Sequence, residues 1–398
     1  MNILKLADKM YTLGTETAFE VLAEVEKLKA QGRDIINFAI GEPDFNTPEN
    51  IKAVGIEAIS NNYTHYSPSA GLMAVRQTFA DYISKTRGIE VKPTEVVVTP
   101  GAKPIIFFGL MATINPGDEV IYPNPGFPIY ESVIKYVGGV PVPLALREER
   151  EFSFVPEELE QKITDKTKMI IINSPHNPTG GIFSTADLKL IADIAVAKNL
   201  WLMSDEVYSR IIYDHQFESI VSLPGMKERT ILIEGLSKTY AMTGWRIGYG
   251  VAPELVANAI ARLSTNSVSC TATFTQLAAQ EAITGQQEAT AQMVQEFRER
   301  RDLILNGLND IEGISCLKPK GAFYVYPNVT AACQRLGFST GKELQQYLLY
   351  QANVAVLPQT SFGQRNEGET HEYIRLSFAT SKENILAGLA RIKQAIEI

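Results

Sequence analysis

The chain reads as an α/β protein built on a mostly parallel sheet flanked by helices, followed by a smaller α+β domain. From Glu95 onward, short apolar runs such as EVVVTP, KMIIINSP, NLWLMSD and TILIEG alternate with segments at helical spacing, which is the pattern of βαβ units. These runs end in Gly, Pro, Asn or Asp, so polar residues collect where strands stop. Its 398 residues suffice for two domains at ~100–200 residues each.

Taken in order, Thr15 to Gln31 carries apolar residues at helical spacing and stops at Gly32, a natural helix end. IINFAIGEPDF follows as a strand-like run broken at Gly41 and Pro43. Thr47-Pro48-Glu49 opens a helix, with Thr47 expected as N-cap and Pro48 at the first helical position. The strand EVVVTP leads through Gly101-Ala102-Lys103 into a helix near Pro104; free amides and the helix dipole favour an anion at such a turn. DEVIYPNPGFPIY gives another strand and then Phe127. The strand KMIIINSP enters the loop NSPHNPTGG, Asn173 to Gly181, and NLWLMSDEVY ends a strand at Asp205. A carboxylate buried there requires a cationic partner.

TILIEG, Thr230 to Gly235, reads as a buried strand, and GLSKTYAMTGWRIGY follows from it. Lys238 just past a strand end, lowered in pKa by burial, is suited to a Schiff base with an aldehyde. Arg246 presents a fixed fork of donors that matches phosphate oxygens. An aldehyde and a phosphate on one small molecule point to pyridoxal 5'-phosphate. Beyond Tyr249 the pattern turns helical: Pro253 to Leu263, Thr273 to Thr284, then a long charged helix from Gln286 to Asn309. Gly321-Ala322-Phe323-Tyr324, NVAVLP and EYIRLSFAT supply strands of the second domain, and a final amphipathic helix closes it. In EYIRLSF, Tyr373, Arg375 and Ser377 share one face of the strand.

The string Ser237-Lys238 followed by Met242-Thr243-Gly244-Trp245-Arg246, together with GEPDF and NPTG, resembles the class I aminotransferases. This is a family of fold type I pyridoxal-phosphate enzymes related to aspartate aminotransferases, and the likeness runs from the Thr15 helix to Arg375. It implies that Lys238 forms the Schiff base and then acts as general base and acid. Asp205 would face the pyridine nitrogen, and Asn177 and Tyr208 the phenolic oxygen. Phe127 would stack on the ring, replacing a frequent tryptophan. Gly101, Ala102, Lys103, Ser237 and Arg246 would surround the phosphate, with Tyr66 reaching it from the neighbouring subunit of a homodimer. Gly41, Lys103, Phe127, Asn177 and Arg375 would contact substrate, Arg375 gripping the α-carboxylate and Lys103 a distal one. His176 receives no role.

On the same basis the expected reaction moves an amino group from an L-amino acid, aspartate or glutamate first, to a 2-oxo acid such as 2-oxoglutarate. Glu234 and Gly235 depart from aspartate-using relatives, so aromatic or prephenate-type substrates stay open, as does β-elimination or C–S lyase chemistry. A non-catalytic pyridoxal-phosphate-binding regulator is a further alternative. The expected division is an N-terminal segment shared with the small domain (1–45), a large cofactor domain (46–285) and a C-terminal small domain (286–398).

Composition narrows the rest. A net charge of −8 disfavours nucleic acid, which calls for a basic face. Three scattered cysteines and four scattered histidines give neither a disulfide framework nor a metal site, and a reducing cytoplasm fits them. MNILKLADKM has no apolar core of signal length, and no run reaches the ~20 apolar residues of a membrane helix. Walker A, Gly-x-Gly-x-x-Gly and His-Glu-x-x-His strings are absent. The Asn-x-Thr triplets at Asn62 and Asn328 are read as chance matches.

Overall fold

A computed structural model describes residues 4–397; the first three residues of MNILKLADKM and the terminal Ile398 lie outside the described residues. Among the described residues, twelve strands form three sheets: β1 Ile36–Asn37, β2 Val96–Thr99, β3 Glu119–Asn124, β4 Val140–Ala145, β5 Thr167–Asn173, β6 Trp201–Asp205, β7 Thr230–Gly235, β8 Gly248–Val251, β9 Tyr324–Val325, β10 Val354–Ala355, β11 Leu357–Pro358 and β12 Ile374–Ser377. The large sheet runs β2-β8-β7-β6-β5-β3-β4. All of it is parallel except β8, which pairs antiparallel with both β2 and β7.

The strand residues alternate between two cores, which is why these strands read as continuous apolar runs. Val98, Ile170, Ile172, Leu202 and Leu232 enter one core with helices Met73–Arg87, Thr185–Ala197 and Thr273–Thr284. Val97, Met169, Ile171, Met203, Ile231 and Ile233 enter the other, under helices Lys103–Thr113, Ile129–Tyr136 and Glu254–Thr265. A third core unites the 22-residue helix Glu288–Asn309, from Met293 to Leu308, with the closing helix Lys382–Ile396 and the strands β9, β10 and β12. The N-terminal strand β1 pairs with β10, so the start of the chain is built into this C-terminal layer.

Two sequence expectations change. Pro48, not Thr47, is the N-cap of helix Glu49–Ser60. Thr47 instead donates its hydroxyl to the Ala241 carbonyl at 2.6 Å and accepts from the Trp245 indole at 3.0 Å, pinning the segment around Lys238. The segment after Trp245 is a strand, β8, before it is a helix. Because β8 runs against its neighbours, it begins at the edge where β2 and β7 end, and so carries Arg246 to the same rim as their C-terminal residues.

Candidate active site

That rim is where an open α/β sheet offers its crevice. Asn173 and Asp205, paired in register at the ends of β5 and β6, stand beside Gly235 at the end of β7 and the one-turn helix Leu236–Thr239 that bears Lys238. Together they line a cavity of about 540 Å³. Of the residues singled out from sequence, Gly41, Ala102, Lys103, Phe127, Asn177, Asp205, Tyr208, Ser237, Lys238, Arg246 and Arg375 all face it. Gly101 stands just behind, with φ +85°, in a backbone region that favours glycine. A Cβ there would run into the Arg246 guanidinium. Tyr66 does not line the cavity and is 89% exposed.

Lys238 donates from Nζ to the Gly41 carbonyl at 2.7 Å. Burial, only partly opposed by the Glu42 carboxylate, pulls its pKa down to about 8. Asp205 is buried, and desolvation pushes its carboxyl up to about 6, against the stabilising Tyr130 hydroxyl at 2.7 Å and the Val207 amide at 3.3 Å. It has no ion-pair partner among the described residues, so its charge is under-compensated. Arg375, which an isolated strand would expose, is buried. Its Nη1 donates to Asn177 Oδ1 at 3.0 Å and its Nη2 to the Ala39 carbonyl, while Nε has no partner among the described residues. Its guanidinium lies 4.3 Å from the Tyr324 ring centre and 4.8 Å from that of Phe362.

At the opposite end, helix Lys103–Thr113 starts at Ala102 without a side-chain cap, beside Ser237 and Arg246. Arg246 has φ +51°, a costly conformation for a non-glycine residue. Its Nη1 is held by the Thr243 carbonyl at 2.8 Å. Lys103 makes an ion pair with Glu16 and lies over the rings of Phe19 and Phe127.

Among the lining residues that sequence reasoning does not find are Glu16, Phe19, Tyr130 and Tyr324. Tyr130 and Tyr324 stand in strings quoted above, and a phenol in a buried segment is a sign that its hydroxyl has a partner. The partners are distant in sequence, so the pairing was not legible. Glu234 sits on the other face of β7, bonded to Arg87 at 2.7 Å and Ser209 at 2.6 Å, and adds no charge to the cavity. His176 is buried behind the loop, with Nδ1 2.8 Å from the Thr179 hydroxyl. Burial pushes its pKa down to about 3, which keeps it neutral.

Fold and rim together define a fold type I α/β enzyme with a lysine at its centre. The chain is 39% identical over 396 residues to the probable aspartate/prephenate aminotransferase of Aquifex aeolicus, covering 98% of each. It is 40% identical over 382 residues to aromatic-amino-acid aminotransferase 2 of Thermococcus litoralis, covering 94% of this chain and 96% of that one. The solved aspartate aminotransferase from Thermus thermophilus with maleate superposes with a TM-score of 0.92 at 34% identity, covering 99% of this chain and all of that one. The sequence profile of aminotransferase class I and II matches residues 33–392, and the chain belongs to that family of pyridoxal-phosphate-dependent transaminases.

Proposed function

We propose that this aminotransferase holds pyridoxal 5'-phosphate in the cavity around Lys238 and exchanges the amino group of aspartate or glutamate with a 2-oxo acid such as 2-oxoglutarate. The carrying observation is the placement of Lys238, with its lowered pKa, between the under-compensated Asp205 and the buried Arg375. The residues fit the cofactor at both ends. A protonated ring nitrogen supplies the cation that Asp205 lacks, and the uncapped helix start with Ser237 and Arg246 suits a phosphate. The cofactor supplies an aldehyde for the lysine and a ring that accepts electrons when the substrate loses its α-proton.

In this reading Arg375 binds the substrate α-carboxylate through its planar fork, and its bond to Asn177 orients the Asn177 amide NH2 toward the cofactor's phenolic oxygen. Tyr208 would donate to the same oxygen, and Phe127 would pack against the ring. Lys238, once free, takes up the α-proton at Nζ and returns it. Gly41 leaves its carbonyl to position that amine. Of the residues singled out from sequence, all fall in the proposed large domain (46–285) except Gly41 in the N-terminal segment (1–45) and Arg375 in the small domain (286–398); Glu16 and Phe19 join Gly41, and Tyr324 joins Arg375.

The preference for acidic substrates rests on Lys103, whose ion pair with Glu16 is the contact a distal carboxylate would exchange for its own. Relatives named for aspartate support it. An aromatic substrate is the second reading, favoured by the apolar wall of Phe19, Ile106 and Phe127 and by the relative named for aromatic amino acids. Exposed Tyr66, with Ile56, Ile59 and Tyr63 also exposed, supports a homodimer in which Tyr66 reaches the partner's phosphate site. Three free cysteines suit a cytoplasmic protein, and among the described residues no helix is long and apolar enough to cross a membrane.

A neutral amine is the nucleophile, so capture of pyridoxal phosphate by the apoprotein speeds up about tenfold per pH unit below ~8 and levels off above it. A rate that climbs unchanged to ~pH 10 would show an unperturbed lysine. In single-turnover mixing without acceptor, aspartate or glutamate discharges the cofactor's visible band with one equivalent of 2-oxo acid. Lys103→Ala weakens acidic substrates about 10- to 100-fold, the range of a charged hydrogen bond of ~1.5–3 kcal/mol, and leaves aromatic ones near wild type. Ammonia release, or equal losses for both substrate classes, would refute the assignment.

A further inference from the structure

Tyr324 has no part in the chemistry described above. It lies in β9, across the cavity from β6, and its hydroxyl oxygen is 2.7 Å from that of Tyr208. Both side chains are buried, and burial pushes both phenols up from their ordinary range, so both keep their protons. Two O–H groups share one hydrogen bond, which leaves one hydrogen in need of an acceptor. The surroundings decide which. The Tyr324 oxygen abuts the Cα of Gly41, where an added Cβ would collide with it, and among the described residues it bonds no protein group besides Tyr208. The Tyr324 ring is held by the Arg375 guanidinium at 4.3 Å and by Phe323 at 4.9 Å. Both tyrosines line the cavity, but the Tyr324 oxygen is the one closed off by the Gly41 Cα, which leaves the open direction to Tyr208. The arrangement that strands no hydrogen has Tyr324 donating to Tyr208 and Tyr208 donating into the cavity.

We propose that Tyr324 is a positioning residue: its hydroxyl fixes and polarises Tyr208, so that Tyr208 donates more strongly to the acceptor bound in front of it, the phenolic oxygen of the cofactor. This rests on the cofactor reading above. Donors in series strengthen one another, so losing the first weakens the second. Gly41 is then required by the close approach of Tyr324, with its carbonyl on Lys238 and its Cα against the phenol.

The test is the pH midpoint of the visible band of the holoprotein, read by absorbance. A stronger donor to the phenolic oxygen stabilises its anion and loosens the proton on the lysine-linked nitrogen, so weakening that donor raises the midpoint. Tyr324→Phe keeps the ring beneath Arg375 and removes the hydroxyl alone. Its midpoint is expected to rise by on the order of half a pH unit, less than in Tyr208→Phe. In the Tyr208→Phe background the same substitution should add nothing, because the effect runs through Tyr208. An unchanged or lowered midpoint in Tyr324→Phe, or an equal rise in the Tyr208→Phe background, would overturn the proposal while leaving the cofactor reading intact. A wild-type protein without any visible band would overturn both.

Discussion

Lys238→Ala abolishes the visible cofactor band and lowers transamination by at least ~10⁴-fold. Loss of the general base and acid alone removes up to ~10⁴, and loss of the nucleophile removes the covalent anchor as well. The fold should survive. Among the described residues the only polar contact of Lys238 is its bond to the Gly41 carbonyl, worth about 1 kcal/mol, so thermal unfolding should shift little. The comparison is made by absorbance and initial rates on protein of equal folded content. A variant that keeps the band would place the covalent site elsewhere.

Asp205→Asn is expected to lower kcat/KM by roughly 10²- to 10³-fold, since separating a buried charge pair costs ~3–5 kcal/mol and each ~1.4 kcal/mol is tenfold. Asparagine keeps the size of the side chain and can still accept from Tyr130, so the variant isolates the charge. Tyr130→Phe removes one hydrogen bond and should lose only about fivefold. Dialysis against buffer gives a second readout, because the Asp205→Asn protein should release cofactor faster. A change within about threefold in both kcat/KM and release would mean that Asp205 does not face a cationic ring, because a buried charge pair is worth far more.

Much of the fold and of the site is legible in the sequence. The strand TILIEG spans Thr230–Gly235 as read, and the helix Thr273–Thr284 keeps both its ends, because apolar runs and glycine or alanine spacing decide them locally. The strand β4 escaped because Pro141 and Pro143 argue against a strand; it lies at the edge of the sheet, where a missing amide costs nothing. The strand β8 escaped because Gly248 and Gly250 dilute its pattern; Gly250 is pressed against the Ile105 side chain, a demand of helix-on-sheet packing. Glu234 reads along the string as a charge beside the lysine, whereas strict alternation from Gly235 turns it to the far face. That alternation also gave Arg375 its direction but not its burial, which comes from Phe362 and Tyr324 closing over it. The phenol pair Tyr208–Tyr324 and the bond from Tyr130 to Asp205 join elements far apart in the chain, and no local pattern encodes them.

The central claim is that Lys238 carries the cofactor. Reduction of the holoprotein with borohydride, followed by digestion and mass spectrometry, measures it directly. The account predicts one reduced pyridoxyl phosphate per chain, on the peptide containing Ser237 and Lys238, and none in Lys238→Ala. A label on another lysine, or wild-type protein that takes up no label, would contradict it.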